Sequence, residues 1–556
     1  MKEYKNLLMG AAIILLVTIT LSACSNSNPE ENDVSVEAEV DEASVELASE
    51  QEININLSQE PPSLNPGIAT DTTSGSVLIQ IFEGLTRVGP DGEIQEAMAS
   101  DIDISEDGTV YTFTIRDDAK WSNGDPVTAE DFEFAWKWAL NPDNADANYA
   151  HLLYSIKNGE QAKAGEVPPG EIGIEVLDEK VLEVTLERPT QYFLDLTAYH
   201  TLYPVNKNVV ENKDKWFLDA GDQYTTNGPF KLSKWEHDNE IVLIKNEEYW
   251  DSENVNLDKI TFVMVNDEST ELNMFNSGEL DWAGHPTGKI PLSSIDSLKE
   301  EEVLVTEPKE AVYYYAMNVE EEPIDNKNIR KALSLAIDRE GIVNNITKTG
   351  ELPAMAFVAP PIWSENKKGY FEDNDVEKAK EYLELGMKEK GYNTIEDMPP
   401  ITLSYNTSEE HAQIAQAIQD MWKENLDLDV ELDNNDWQVY LDKLGSGDYQ
   451  VGRFGWVGLI SDPVNFLEIF QEKGGANRTN WVNQEYTDLI RQSRDQVDPD
   501  KRKDTLKSAE QILMDEMPVA PIYFYSNIYA HQDYLHDAYV SSLGTIQFKW
   551  AYVTEK

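Results

Sequence analysis

The stretch at residues 452–470 reads G-R-F-G-W-V-G-L-I-S-D-P-V-N-F-L-E-I-F, an apolar run that meets an Asp-Pro turn and then an apolar helical pattern. Its glycines leave backbone uncovered, so another chain can approach closely. Trp456 adds a flat amphipathic surface, and Arg453 is the only positive charge of the stretch. Such a segment is suited to holding an extended peptide by its main chain. A buried strand and turn is the alternative interpretation.

The composition limits the classes of protein and partner. A chain of 556 residues exceeds one ordinary core, so we expect about two or three domains. The formal net charge of −60 disfavours nucleic acid and anionic membrane surfaces as partners, because both repel it. Cys24 is the only cysteine, and no two of the seven histidines have helical metal-ligand spacing. We therefore expect no disulfide framework, no metal and no cofactor.

The amino-terminal residues predict a lipoprotein signal peptide over residues 1–23. Lys2 and Lys5 precede an apolar run, which ends in Leu-Ser-Ala-Cys at residues 21–24. This ending matches the bacterial lipobox, in which the cysteine becomes the lipidated first residue. Lipid on Cys24 anchors a protein to a membrane without spanning it, and here predicts the extracytoplasmic face of the cell membrane. The alternative is an ordinary signal with an incidental cysteine.

An acidic segment separates this signal from the folded part. Residues 25–51 contain nine Asp or Glu and no Lys or Arg. Such a segment buries too little apolar surface to offset the entropy of ordering, so we predict a disordered tether over residues 24–51. Alternating I-N-I-N-L then predicts that the folded part begins with a strand near Glu52.

The later half of the chain alternates helical and strand patterns. Apolar residues at helical spacing predict helices over Ile329–Val343, Val376–Leu385 and Ile414–Trp422. Strands predicted at Ile401–Tyr405 and Asp429–Leu432 lie between and after them, which is the order of an α/β fold.

A search for catalytic motifs finds no G-x-S-x-G, H-E-x-x-H, P-loop or strand-to-helix G-x-G-x-x-G. With 104 Asp and Glu residues, any chosen acid pair is expected by chance. We therefore predict that the protein is not an enzyme. Aromatic residues clustered with glycine and proline, such as Tyr313–Tyr315 and Trp437 with Tyr440, instead predict concave, adaptable walls.

With these residues in view, the chain resembles the oligopeptide-binding lipoproteins of bacterial ABC importers, solute-binding protein family 5 of the peptide/nickel type. The motifs that carry the resemblance run from near Glu52 to the carboxyl-terminal region in the family's order. They are S-L-N-P (63–66), F-E-G-L (82–85), D-G-T-V-Y-T-F-T-I-R-D (107–117), W-S-N-G-D-P-V-T-A-E-D-F (121–132), N-G-P-F-K-L (227–232), N-E-E-Y-W-D (246–251), N-I-R-K-A-L-S-L-A-I-D-R (328–339) and the stretch at 452–470.

The resemblance implies an α/β, periplasmic-binding-protein-like fold (type II, class C), with two lobes built from three domains. Domain I is discontinuous and comprises residues 52–72, 206–309 and 521–556. Domain II is the insertion 73–205, and domain III is the lobe 310–520. The implied hinge crossings lie in the links near prolines 308 and 518, and closure of the lobes shields an extended peptide from water.

The resemblance also implies which residues contact the ligand. The loop at 69–72 contributes backbone, the strand at 455–457 pairs with peptide main chain, and Arg453 meets the carboxylate of a short peptide. A structural ion pair is the alternative role for Arg453, and plain packing is the alternative for the tryptophans. The other implied contact residues are Ala69, Thr70, Asp71, Thr72, Trp437, Gly455, Trp456 and Val457, with Tyr149, Tyr314 and Tyr523 as further wall residues.

One position departs from the family pattern. Relatives read G-W-x-G-D-[YF]-x-D-P, in which the first Asp anchors the peptide's α-ammonium, whereas this chain has Leu459 there and Ile460 in place of the aromatic residue. Asp462 matches the second acid of the pattern and is expected to set the turn before the helix. Because burying an unpaired ammonium is costly, we expect ligands whose amino end is blocked, displaced or recognised by another acid.

The implied function is an extracytoplasmic receptor that captures oligopeptides and delivers them to the permease of an ABC importer. We expect a monomer whose partners are the peptide, the permease subunits and, through its lipid, the membrane. Three alternatives stay open at this point: a sensory or pheromone receptor, an enzyme using an acid pair in the cleft, and the same scaffold binding an N-blocked ligand, a sugar, an opine or a metal chelate.

Overall fold

The computed structural model describes residues 46–211, 213, 215–221 and 223–555. The predicted signal peptide, Cys24 and the tether up to residue 45 lie outside the described residues. Within the described ranges, no helix is long and apolar enough to cross a membrane.

The strands divide among one large sheet, one four-stranded sheet and short pairs. In chain order they are β1 (Glu52–Asn56), β2 (Thr86–Val88), β3 (Ile94–Glu96), β4 (Ala99–Ile104), β5 (Val110–Ile115), β6 (Ile174–Asp178), β7 (Val181–Thr185), β8 (Phe230–Glu236), β9 (Glu240–Lys245), β10 (Lys259–Val263), β11 (Trp282–Gly284), β12 (Leu304–Met317), β13 (Leu352–Pro353), β14 (Ile401–Asn406), β15 (Val430–Asn435), β16 (Val451–Val457), β17 (Val519–His531), β18 (Leu535–His536), β19 (Tyr539–Val540), β20 (Ile546–Gln547) and β21 (Tyr552–Val553).

The α-helices cover the faces of these sheets. In chain order they are α1 (Thr72–Ile81), α2 (Ala129–Ala139), α3 (Gly159–Lys163), α4 (Phe193–Thr197), α5 (Lys207–Val210), α6 (Glu268–Ser277), α7 (Ile295–Glu300), α8 (Lys327–Leu335), α9 (Arg339–Ile342), α10 (Val376–Lys390), α11 (Glu409–Leu426), α12 (Trp437–Ser446), α13 (Val464–Leu467), α14 (Gln484–Arg494) and α15 (Pro499–Glu516).

The large sheet runs in the order β15-β14-β16-β12-β17-β11-β1-β10-β9-β8, with β13 paired to β17. The mixed pairing of this sheet and its covering helices confirm the predicted α/β class. Strands from residues 52–72 and 206–309 form one end, strands from 310–520 form the other end, and β12 and β17 join them. The four-stranded sheet β4-β5-β7-β6 lies within residues 73–205. The predicted domain ranges stay a prediction.

The hydrophobic cores separate where β12 and β17 cross from one end of the sheet to the other. The register between these strands shifts between Pro308 and Val312, and Pro308 lies opposite Ser526. The clusters built on Tyr313 and Val312 belong to the 310–520 side, whereas Ile528 belongs to a cluster with residues 272–298. A pair of strands with interrupted packing between separate cores is a suitable place for a hinge.

Two sequence predictions need correction. The backbone N–H of Ala48 donates to Val553 O over 2.9 Å, so ordered structure begins before Glu52, because the carboxyl-terminal strand offers hydrogen-bond partners that the local sequence does not reveal. The helix predicted over residues 329–343 is two helices, α8 and α9. Asp338 interrupts it because its side chain accepts from Gly341 N over 2.7 Å and caps α9.

Candidate functional site

The strand β16 has one paired edge and one open edge. It pairs antiparallel with β12 along its whole length, from Val451 opposite Met317 to Val457 opposite Ala311. On its other edge β14 pairs only as far as Gly452. Among the described residues, no strand covers that edge further along β16. An uncovered strand edge offers backbone N–H and C=O groups to an added strand.

The neighbourhood of this open edge is apolar and aromatic. Val457 is 47% exposed at the end of β16, and Trp437, the first residue of α12, is 50% exposed. Trp456 is half-buried, and its indole Nε1 is buried without a hydrogen-bond partner among the described residues. Because a buried indole N–H normally finds an acceptor, Trp456 has an unused donor. The surface therefore combines apolar area with unsatisfied donors, as binding surfaces do.

Arg453 lies among tyrosines rather than acids. Its Nη2 donates to Tyr525 Oη over 3.0 Å, its guanidinium stacks over the Tyr313 ring at 4.6 Å, and Asn406 Oδ1 lies 3.4 Å from Nη1. Its Nε is buried and has no partner within the described ranges. Among the described residues, Arg453 forms no ion pair, so its alternative role in a structural ion pair is not observed. The chain has 104 Asp and Glu residues, and Arg453 forms an ion pair with none of those that the structure describes. Its guanidinium can therefore bind the carboxylate of a ligand.

Two titratable side chains, His411 and Glu410, lie near Arg453. Burial, with the charge of Arg453 as a second cause, lowers the pKa of His411 to about 3, so this imidazole is neutral. Burial raises the pKa of Glu410, whose Oε1 accepts from Tyr523 Oη over 2.8 Å. Apart from the aromatic run at 313–315, nothing in the sequence indicates these neighbours of Arg453.

The predicted loop at 69–72 leads into α1. The carbonyl of Ala69 contacts His200 Nε2 at 3.0 Å, and the carbonyl of Thr70 accepts from Tyr149 Oη over 3.1 Å. Asp71 caps α1 through Ser74 N over 2.8 Å, and Thr72 is exposed at the first turn. Tyr149 therefore contacts this loop directly. The contribution of the loop to a ligand stays a prediction.

The two remaining predicted tyrosines lie in the interior. Tyr314 is fully buried, with its ring against Phe357 and Phe454 at centroid distances of 5.1 and 6.0 Å. Tyr523 is buried and stacks on Tyr313 at 4.7 Å. The structure thus places the two side chains in separate buried clusters, Tyr523 with Tyr313 and Tyr314 with Phe357.

The loop that follows β16 forms part of a cavity of about 390 Å³. Leu459 and Trp456 line it on one side, and Tyr192 and His151 line it on the other. The His151 ring contacts Tyr149 at 5.5 Å, which connects this cavity to the loop at 69–72. The cavity therefore lies between residues 73–205 and 310–520, at the end of the open edge.

Asp462 is fully engaged within the protein. Its two oxygens bind the guanidinium of Arg502 over 2.7 and 2.8 Å, and its Oδ1 also accepts from Val464 N over 2.8 Å at the start of α13. This arrangement agrees with the predicted role in the turn. Asp462 is therefore no free replacement for an acid at Leu459.

The described residues contain no group of three or more His, Cys, Asp or Glu placed to hold a metal ion. The site is instead an open strand edge, an aromatic surface and an unpaired guanidinium, which is binding geometry. A family model described as bacterial extracellular solute-binding proteins, family 5, middle region, matches residues 93–478.

The chain belongs to this family. Oligopeptide-binding protein OppA of Bacillus subtilis (strain 168) is 49% identical over 543 residues, covering 97% of this chain and 98% of that protein. A structure of the periplasmic murein tripeptide binding protein MppA in an unliganded open form has a TM-score of 0.80 at 30% identity, covering 92% of this chain and 99% of that chain. Listeria monocytogenes OppA bound to peptide has a TM-score of 0.71 at 32% identity, covering 92% and 100%.

Family 5 membership confirms the resemblance and the periplasmic-binding-protein-like fold. The similar proteins are solute-binding proteins of transport systems rather than enzymes.

Proposed function

We propose that this protein captures oligopeptides on the open edge of β16 and delivers them to the permease of an ABC importer. The unpaired edge beyond Gly452 carries the proposal, because an extended peptide can add there as a further strand. The names of the similar proteins, which specify oligopeptides and a murein tripeptide, favour peptides over a sugar, an opine or a metal chelate.

Arg453 supplies a second element of recognition. It lies on β16 itself, its Nε has no partner among the described residues, and its neighbour His411 is neutral. A peptide carboxylate placed here gains charge-assisted hydrogen bonds from a guanidinium that forms no ion pair with any acid among those residues. The protein binds and releases its ligand unchanged, without catalysis.

The test is native mass spectrometry of the purified protein, alone and after mixing with a defined pool of tripeptides to hexapeptides. We expect a peptide adduct, with no cleavage products after prolonged incubation. Gly455→Val is the matched variant, because a Cβ at this position lies 3.1 Å from Tyr525 Oη and branches at the open edge. Loss of the adduct in this variant supports docking on β16. Absence of any peptide adduct in the native protein contradicts the proposal.

The membrane anchor forms a separate part of the proposal. The lipobox ending at Cys24 supports lipidation and attachment to the extracytoplasmic face of the cell membrane. Metabolic labelling with palmitate, followed by membrane fractionation, tests it against Cys24→Ser. We expect label and membrane association only with the cysteine.

Size-exclusion chromatography with light scattering tests the predicted monomer.

A further inference from the structure

The helix α2 carries aromatic side chains on two faces. Phe132 and Trp136, one helical turn apart, are fully buried in the core. Phe134 and Trp138, also one turn apart but on the other side of the helix, are only half-buried. Because the face of a surface helix that points away from the core is normally polar, core packing alone does not account for these two rings.

Phe134 and Trp138 line a cavity of about 540 Å³. Trp216 and Phe217, which follow α5 in the chain, line it as well, and their ring centroids lie 5.7 Å apart. Further apolar lining residues are Ile68, Ala135, Tyr203, Val205 and Val210. Clefts of about 300–1,000 Å³ with apolar and aromatic walls are typical of small-molecule sites.

Two asparagines of the lining form hydrogen bonds within the protein. Asn65 Oδ1 accepts from Gly67 N over 3.0 Å, and Asn144 Nδ2 donates to Trp138 O over 2.8 Å. A Cβ on Gly67 would lie 3.1 Å from the Trp138 ring, so the missing side chain lets this loop lie close to the ring. These contacts fix the walls of the cavity before any ligand binds.

Thr201 contributes a hydroxyl group without a partner. The residue lines the cavity and is 2% exposed, and its Oγ1 is buried with no hydrogen-bond partner among the described residues. Because buried hydroxyls nearly always have a partner, this one is an exception. Turning it toward the cavity breaks no hydrogen bond with those residues, so it can serve a ligand as donor or acceptor.

The charged side chains of the lining balance one another. Asp146 and Glu211 are exposed, and so are Lys213 and Lys215. Among the described residues of the lining, two negative charges thus accompany two positive ones, and none of the four side chains is buried. Because an unpaired charge is costly to bury, an interior of apolar walls and one hydroxyl favours an uncharged ligand.

This cavity is separate from the one at the end of β16, with which it shares no lining residue. It adjoins the loop at 69–72, because Ile68 directly precedes that loop and Thr201 directly follows His200. His200 Nε2 in turn contacts the carbonyl of Ala69 at 3.0 Å. A ligand in this cavity therefore does not compete with a peptide for the open edge of β16.

We infer that the cavity beside α2 binds an uncharged aromatic molecule that carries one hydrogen-bonding group. Its ring lies among Phe134, Trp138, Trp216 and Phe217, in the offset or edge-to-face arrangements that aromatic rings prefer. Its polar group forms a hydrogen bond with Thr201 Oγ1. Peptide capture is not required for this second site, because none of its lining residues lies on β16.

The probe is 5-fluoroindole, an uncharged ring with one N–H group, and fluorine NMR follows its binding to the purified protein without peptide. We expect saturable binding of one equivalent with a Kd of about 0.1–1 mM, as for a ligand of about ten non-hydrogen atoms. The charged analogue 5-fluoroindole-3-acetate should bind at least about tenfold more weakly, because its carboxylate would lose water in an apolar interior.

Two variants, each with a matched control, assign the binding to this cavity. Ala135→Leu fills the cavity from α2 and should weaken 5-fluoroindole at least about tenfold, whereas Ala164→Leu, at an exposed alanine outside the lining, should leave its Kd unchanged. Thr201→Val keeps the shape, removes the hydroxyl and should weaken it about threefold to tenfold. Its control is Thr287→Val, because Thr287 Oγ1 is likewise buried without a partner among the described residues but lies outside the lining.

Three results overturn the inference. The first is that the native protein shows no saturable binding of 5-fluoroindole. The second is that it binds the charged analogue more tightly than the uncharged probe. The third is that Ala135→Leu or Thr201→Val changes the Kd no more than its control does.

Discussion

The ion pair between Asp462 and Arg502 fixes the turn after β16 onto α15. Both oxygens of the carboxylate meet the guanidinium over 2.7 and 2.8 Å, and the two side chains are 9% and 8% exposed. The guanidinium also lies 5.8 Å from the Tyr192 ring. Arg502→Met keeps the aliphatic volume and removes the charge. It leaves Asp462 buried near two further acids, Asp195 and Glu310.

The expected cost follows from burial. Removing one partner of a buried pair costs about 3–5 kcal/mol, since the other charge stays desolvated and unpaired. Loss of the contact with Tyr192 adds about 0.5–1 kcal/mol. We therefore expect the opening free energy of α15 to fall by about 4 kcal/mol. The exposed pair Lys120–Glu248, joined over 2.8 Å, should yield less than about 1 kcal/mol when Lys120→Met removes it.

Native-state hydrogen exchange of the α15 amides measures this opening directly, without assuming that so long a chain unfolds in one step. Asp462→Asn in the Arg502→Met background removes the unpaired buried carboxylate. The double variant should therefore recover part of the opening free energy that Arg502→Met loses. Two results would refute this reasoning. One is a decrease of less than about 1 kcal/mol in the opening free energy of α15 in Arg502→Met. The other is a decrease in the double variant that equals the sum of the decreases in the two single variants.

Three further outcomes are expected. Because the pKa of Asp195, about 7 in the folded protein, exceeds its ordinary value of 3.8, this carboxyl favours folding below about pH 4 and that contribution is lost as the pH rises through 7. Ligand-free Asp195→Asn should therefore gain stability over the native protein above pH 7, by at most about 4 kcal/mol, as measured by thermal unfolding between pH 5 and 9; a constant difference across this range would contradict it. Arg453→Met should abolish a preference of about tenfold for tetra-alanine over its carboxyl amide in calorimetry, and an unchanged ratio would exclude Arg453 from carboxylate recognition. Gly455→Ala should weaken the binding of both tetra-alanine and its carboxyl amide, because the new Cβ would lie 3.1 Å from Tyr525 Oη and displace that side chain. Unaltered affinity for both peptides would show that this hydroxyl moves freely.

Local sequence patterns were sufficient for the regular elements of the α/β lobe. The strand predicted at Ile401–Tyr405 is β14, and the helix predicted at Ile414–Trp422 is the centre of α11, because each has a buried face whose period is visible in the sequence. The break at Asp338 has a weak local signal, since aspartate is a preferred residue at the start of a helix. The longer apolar period around it concealed that signal.

The site was accessible to sequence reasoning only along β16. Glycines, Trp456 and Arg453 are adjacent in the chain, so their shared strand could be predicted from their order. The partners of Arg453 come from β12 and β17, and Tyr525 lies 72 residues away from it in the chain. Glu310 and Asp195 lack any distinguishing pattern among 104 acids. Only the fold shows that Glu310 is buried.

The position of Arg453 on β16 defines a direction for the proposed ligand. Arg453 lies near the beginning of the strand, and the open edge continues from there to Val457. A peptide whose carboxylate meets Arg453 and whose chain follows the open edge therefore runs antiparallel to β16. The four residues from Phe454 to Val457 cover about 13 Å at the rise of a strand. Because an extended chain covers at most about 3.3–3.6 Å per residue, a peptide of about four residues fills this edge, and a longer peptide extends past Val457.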